Sequence, residues 1–165
     1  MASERLPDHG GLVGDSTRRA GTDAVAEPEI VYVSWGGTGR AATFRRALAL
    51  ADERGRGLVY LAILDNGTFG DIDRAMLELA RDELAWLLDA QLELTRKQIG
   101  AGDVAVRVLV RAGDVADEIA AAVDATGATE VLIGAPIPAT GRTAVSDLVE
   151  LLRTRIGASI TVIEP

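Results

Sequence analysis

The run Gly37-Thr38-Gly39-Arg40-Ala41-Ala42 matches Gly-x-Gly-x-x-Gly/Ala, a spacing in which bare backbone can approach a pyrophosphate at the start of a helix. A strand-like segment precedes it and a helical spacing follows, as that chemistry requires. Asp65 lies about two dozen residues further on, at the end of the next strand-like segment, where an acid can bond a ribose hydroxyl. Gly37, Gly39 and Asp65 thus give an NAD(P)-type nucleotide reading. The competing reading of the same residues is a tight turn before a helix. A second loop, from Gly134 to Ser146, contains Gly141, Arg142, Thr143 and Ser146. A flexible turn, a cation and two hydroxyls near a helix start suit an anion. The alternative there is a solvated loop in which Ser146 caps the helix.

The residue types that are missing exclude more. Cysteine is absent and His9 is the one histidine of the 165 residues, which removes thiolate chemistry, disulfides, zinc fingers and histidine-based triads. Acidic pairs such as Asp82-Glu83 and Asp117-Glu118 are neighbours in helical segments, so they diverge and read as solvated faces. No metal site and no catalytic residue is expected, and the chain is not read as an enzyme. A net charge of −8 repels phosphate backbones and argues against nucleic acid as a partner.

Alternating strand and helix patterns position the two loops. Strands are expected over 30–35, 58–64, 104–110, 131–134 and 159–163, and the first two are apolar on both faces, as in a sheet covered on both sides. The first is expected to be central. Helices are expected from Ala41 to before Gly55, from about Asp71 to Ile99, behind Asp114 as cap, and behind Ser146 as cap. In the longest helix the stripe Met76, Ala80, Leu84, Leu87 and Leu94 is expected to face the core. In the last helix Leu148, Leu151, Leu152 and Ile156 turn inward. Asp65-Asn66-Gly67 reads as a turn. Trp35 and Trp86 read as packing residues, with stacking on a base as an alternative for Trp35. The fold class is α/β: five mostly parallel strands with four helices on both faces, a Rossmann-like three-layer sandwich. Ligands in such sheets sit beyond the carboxyl ends of the strands, here at residues 34–40 and 134–146.

Residues 1–28 carry no apolar period and are expected to be a disordered extension, read as a leader rather than as a partner-binding arm. The domain proper is then 29–165. Neither a signal-peptide pattern nor an apolar run of membrane-spanning length is present, so a cytoplasmic location is expected.

The segment Val110-Arg111-Ala112-Gly113-Asp114-Val115-Ala116-Asp117-Glu118-Ile119, followed by Ala128-Thr129-Glu130-Val131-Leu132-Ile133-Gly134, resembles the universal stress protein family. The likeness in element order extends over 29–164. It implies a small nucleotide-binding fold of the adenine nucleotide alpha hydrolase-like type, in a regulatory homodimer that in one branch of the family binds ATP. That branch has Gly, two residues, Gly, nine residues, Gly, then Ser or Thr. Counted from Gly134, the second glycine falls on Ile137, the third on Asp147 and the hydroxyl on Leu148. With one deletion the last pair becomes Ser146-Asp147. Asp147 would meet phosphate with like charge, and Pro136 and Pro138 remove two amide donors. The family's acid at the end of the first strand aligns with Ser34 or Trp35.

The resemblance therefore implies a degenerate pocket around Ser34, Trp35, Gly36, Gly37, Thr38, Gly134, Gly141, Arg142, Thr143, Ser146 and Asp147, with ATP or AMP disfavoured as cofactor. The last strand, with Ile160, Val162 and Ile163, is the expected homodimer contact, both as an uncharged edge and as the strand at the family's usual interface. The expected function is a non-catalytic stress-response protein acting on a regulatory partner that the sequence does not identify.

Overall fold

The computed structural model describes residues 28–35, 41–69, 71–134 and 145–163. The tail read at 1–28 lies outside them except for Pro28, whose carbonyl accepts a bond from Arg56 Nε at 2.7 Å. Five strands, β1 (Ile30–Trp35), β2 (Leu58–Asp65), β3 (Val106–Gly113), β4 (Glu130–Gly134) and β5 (Ser159–Ile163), form one sheet in the order β3-β2-β1-β4-β5. Every pairing is parallel. β1 is central, as its two-sided apolar character predicts. Helices α1 (Ala41–Glu53), α3 (Arg74–Ile99), α4 (Val115–Thr126) and α5 (Val145–Arg155) cover the sheet, and a single turn, α2 (Asn66–Phe69), follows β2.

Strand alternation divides the core into two layers. Val31, Val33, Val59, Leu61, Val131 and Ile133 pack with Ile119 and Val123 of α4 and Leu148 and Leu152 of α5. Ile30, Tyr32, Leu58 and Leu132, on the opposite face, pack with Phe44, Ala47, Leu48 and Ala51 of α1. Each such aliphatic side chain, fully withdrawn from water, contributes about 1.5–3 kcal/mol, so the sheet's two covered faces dominate stability. Ala62, Leu64 and Val110 extend the second layer toward Leu77, Leu84 and Leu88 of α3.

Several sequence expectations shift. The third strand begins at Val106, although Val104 is buried all the same. Asp65-Asn66-Gly67 opens a helical turn rather than a plain turn. α3 starts at Arg74 and buries Leu92 and Thr95, with Leu77, Leu84 and Leu88 against the sheet. Met76, Leu87 and Leu94, expected inward, are exposed, and Trp86 is 70% exposed rather than packed. Ala80 is exposed as well. Leu151 is 40% exposed, while its neighbour Leu152 takes the inward position. Gly100 ends α3 in the left-handed region at φ 72, where its amide bonds to Arg96 O.

A cluster of ion pairs closes the amino edge of the sheet. Glu130 accepts from Arg54 and, at 3.1 Å, from Arg56, which also reaches Glu29 O and Thr129 Oγ1. Arg107 bonds Glu29 at 2.5 Å. The hydrogen bond it donates to Glu130 holds the Arg54 guanidinium above its ordinary range, against a smaller opposing effect of desolvation.

Candidate site at the carboxyl edge of the sheet

The strand order reverses between β1 and β4, because β1 leads through α1 to β2 on one side while β4 lies on the other. A crevice at such a point is where open parallel sheets hold ligands. Ser34 and Trp35 end β1 there, and Gly134 ends β4. Val33 pairs with Ile133, so Ser34 and Gly134 come next on adjacent strands. Ser34 is buried. The Trp35 side chain, residues 36–40 with Gly36, Gly37, Thr38 and Gly39, and residues 135–144 with Ile137, Gly141, Arg142 and Thr143 lie outside the described residues.

Gly134 has a packing reason for being glycine. A Cβ there would stand 2.8 Å from Tyr32 Oη and 3.2 Å from Thr43 Oγ1. Those two hydroxyls are themselves bonded at 2.9 Å, beneath the ring cluster of Tyr32, Phe44 and Tyr60. The first turn of α1 is thereby fixed against the ends of β1 and β4. Tyr32 and Thr43 were not candidates from sequence. The signal was available, since Tyr32 and Ser34 are two residues apart and share a strand face.

Ser146 is the second residue of α5, so it is not the cap; the helix begins two residues earlier than a serine cap predicts. Ser146 is exposed, and Asp147 is exposed in the first turn of the same helix. A carboxylate there is favourable toward the helix's partly positive end and unfavourable toward an incoming phosphate. Leu148, next along, is 2% exposed and belongs to the core. α1 has no acid in its first turn.

At the neighbouring strand ends, Asp65 Oδ1 accepts the Gly67 amide at 3.0 Å and so starts α2. Asp65 pairs in register with Gly113 of β3 and sits among strand ends, one strand away from the β1–β4 crevice. Asp114 caps α4 as its position predicts, accepting from the Ala116 amide at 3.0 Å and the Asp117 amide at 3.1 Å. Arg111 and Glu118 pair at 3.4 Å just above it. Among the described residues no group of three or more acidic or metal-ligating side chains is placed to hold a metal ion. None of their helices is long and apolar enough to cross a membrane.

The Universal stress protein family profile matches residues 30–150. Solved structures share the fold. A structure of universal stress protein from Archaeoglobus fulgidus is 19% identical, with a TM-score of 0.55 over 82% of this chain and 98% of that one. A protein of the universal stress protein family from Burkholderia pseudomallei is 19% identical, with a TM-score of 0.53 over 81% and 94%. A universal stress protein in complex with cAMP is 10% identical, with a TM-score of 0.51 over 83% and 98%. No curated protein sequence matches the chain.

Proposed function

Because the chain belongs to the universal stress protein family, we propose that it is a non-catalytic, cytoplasmic regulatory homodimer whose switch-point crevice has lost the means of holding ATP. The observation that carries this reading is at the start of α5. Where the ATP-binding branch would close its motif with glycine and a hydroxyl, this chain has an exposed carboxylate, Asp147, and a core side chain, Leu148, or with one deletion Ser146 and Asp147, so that Asp147 falls there in either register. The carboxylate repels a phosphate, and Leu148 cannot turn outward without opening the layer under α5. Gly134, the motif's first glycine, is accounted for by its contact with Tyr32 and Thr43 and does not by itself imply a ligand. The absence of cysteine and the lone His9 support a role without chemistry.

A smaller adenylate is the second reading. One protein of this fold is known in complex with cAMP, and a single phosphate makes less demand on amides near α5 than a triphosphate does. The dinucleotide reading through Gly37, Gly39 and Asp65 is weaker, since Asp65 already serves the α2 amide. Calorimetric titration with ATP, AMP, cAMP and NAD(H), on the wild type and Gly39→Val, separates these readings. Silence with ATP and NAD(H) is expected in both proteins. Tight NAD(H) binding lost in Gly39→Val would overturn the proposal, because a side chain at 39 blocks a pyrophosphate and spares an adenosine held by the later loop.

A further inference from the structure

α3 has two apolar faces, and the described residues pack against one of them. Leu77, Leu84, Leu88 and Leu92 face the sheet and the α1 layer. Met76, Leu79, Trp86, Leu87 and Leu94 are 55–70% exposed, and with exposed Ala90 they fall within one stripe about 140° around the helix from the buried one. Scattered exposed apolar residues are ordinary, but a helical stripe of six apolar residues interrupted by Glu83 alone, with a tryptophan near the middle of its length, marks an interaction surface.

We propose that this stripe is an interface with a second copy of the same chain, formed by two α3 helices packed antiparallel about a twofold axis near Trp86 and Leu87. The stripe is nearly its own reverse. An axis at that point sets Trp86 against Leu87, Leu79 against Leu94, and Met76 against the aliphatic stem of Lys97. Charge selects the direction. Antiparallel pairing sets Asp82 opposite Gln91, Glu83 opposite Ala90 and Glu93 opposite Ala80, and brings Lys97 within a turn of Asp73. Parallel pairing would set each of those acids against its own copy, which is destabilising. The five large side chains expose on the order of 500 Å² of apolar surface per copy, against ~800 Å² per partner in a stable interface, and the polar margins supply the remainder. α3 packs on β3, at the opposite edge of the sheet from β5. This contact is therefore separate from the dimer proposed through β5, and the two contacts together join two such dimers into a tetramer.

The test uses the full chain, which has no cysteine of its own. Sedimentation at micromolar concentration is measured for Trp86→Glu in the wild type and in Val162→Lys, with circular dichroism as the control for folding. The expected result is that Trp86→Glu halves the mass in either background. If Val162→Lys alone changes nothing, the β5 contact fails while the α3 contact is still read from Trp86→Glu. Leu87→Cys, near the axis, should form an intermolecular disulfide under mild oxidation roughly tenfold or more faster than Ala75→Cys at the far end of the helix, since proximity raises effective concentration. A mass unchanged by Trp86→Glu, or equal cross-linking at 87 and 75, overturns the proposal, including where a different protein covers this face.

Discussion

A methyl group at position 134 would meet the Tyr32 hydroxyl at 2.8 Å, closer than packed atoms approach. Gly134→Ala is therefore expected to cost about 1–3 kcal/mol in urea denaturation, and less in a Tyr32→Phe background, so that the two changes are coupled. If the cost is nil, or the same in both backgrounds, the close approach is not what requires glycine there. The same scale shows what the sequence could and could not reveal. Asp114 was readable as a cap because capping depends on two amides one turn away. The same rule fails at Ser146, because Leu148 and Val149 pull α5 into the core and the helix start follows that packing and not the serine. Gly134 stands in the sequence as a pocket residue; its contacts with Tyr32 and Thr43 are a further reason for glycine, come from elements distant in sequence, and are announced by no local pattern.

Among the elements, the strands were the most legible, because β-branched runs buried on both faces leave little choice in a parallel sheet. β1 and β5 agree with their expected bounds. α3 was legible as a helix but not in orientation. With Met76, Leu87 and Leu94 on one apolar stripe and Leu77, Leu84 and Leu88 on another, helical period alone cannot say which faces the sheet. The connection into β2 and the start of β4 are tied by Arg54 and Arg56 to Glu130, a carboxylate with little exposure. Glu130→Ala leaves both guanidiniums without that partner and is expected to cost about 2 kcal/mol in thermal or urea unfolding, below the range for breaking a fully buried pair because Arg54 is partly solvated. The Arg54 pKa is raised, so its share of the stability is complete below the unfolded value and is lost only as pH climbs through the still higher folded one. Unfolding midpoints between neutral pH and moderately alkaline pH should accordingly show no loss traceable to this pair.

On the scale of the whole molecule, the order β3-β2-β1-β4-β5 puts the crevice in the middle and leaves two opposite margins. β5 is an edge strand with Val162 39% exposed, Thr161 exposed and Ile160 partly buried, whereas Ile163 turns into the core and is not available to a partner. Unpaired edge amides and carbonyls favour pairing with a second copy. Val162→Lys is thus expected to halve the sedimenting mass, and an unchanged mass would remove β5 as the contact. Fold class, strand order near the centre and family were legible because they depend on repeated local patterns. The crevice was legible only in outline, since its loops gain meaning from helix starts and core layers assembled from the whole chain. The central claim is that the crevice has the family's shape without its hold on triphosphate. Calorimetric titration of the full wild-type chain with ATP tests it most directly: no saturable heat up to millimolar ATP is the expected result, and saturable binding in the micromolar range would contradict it.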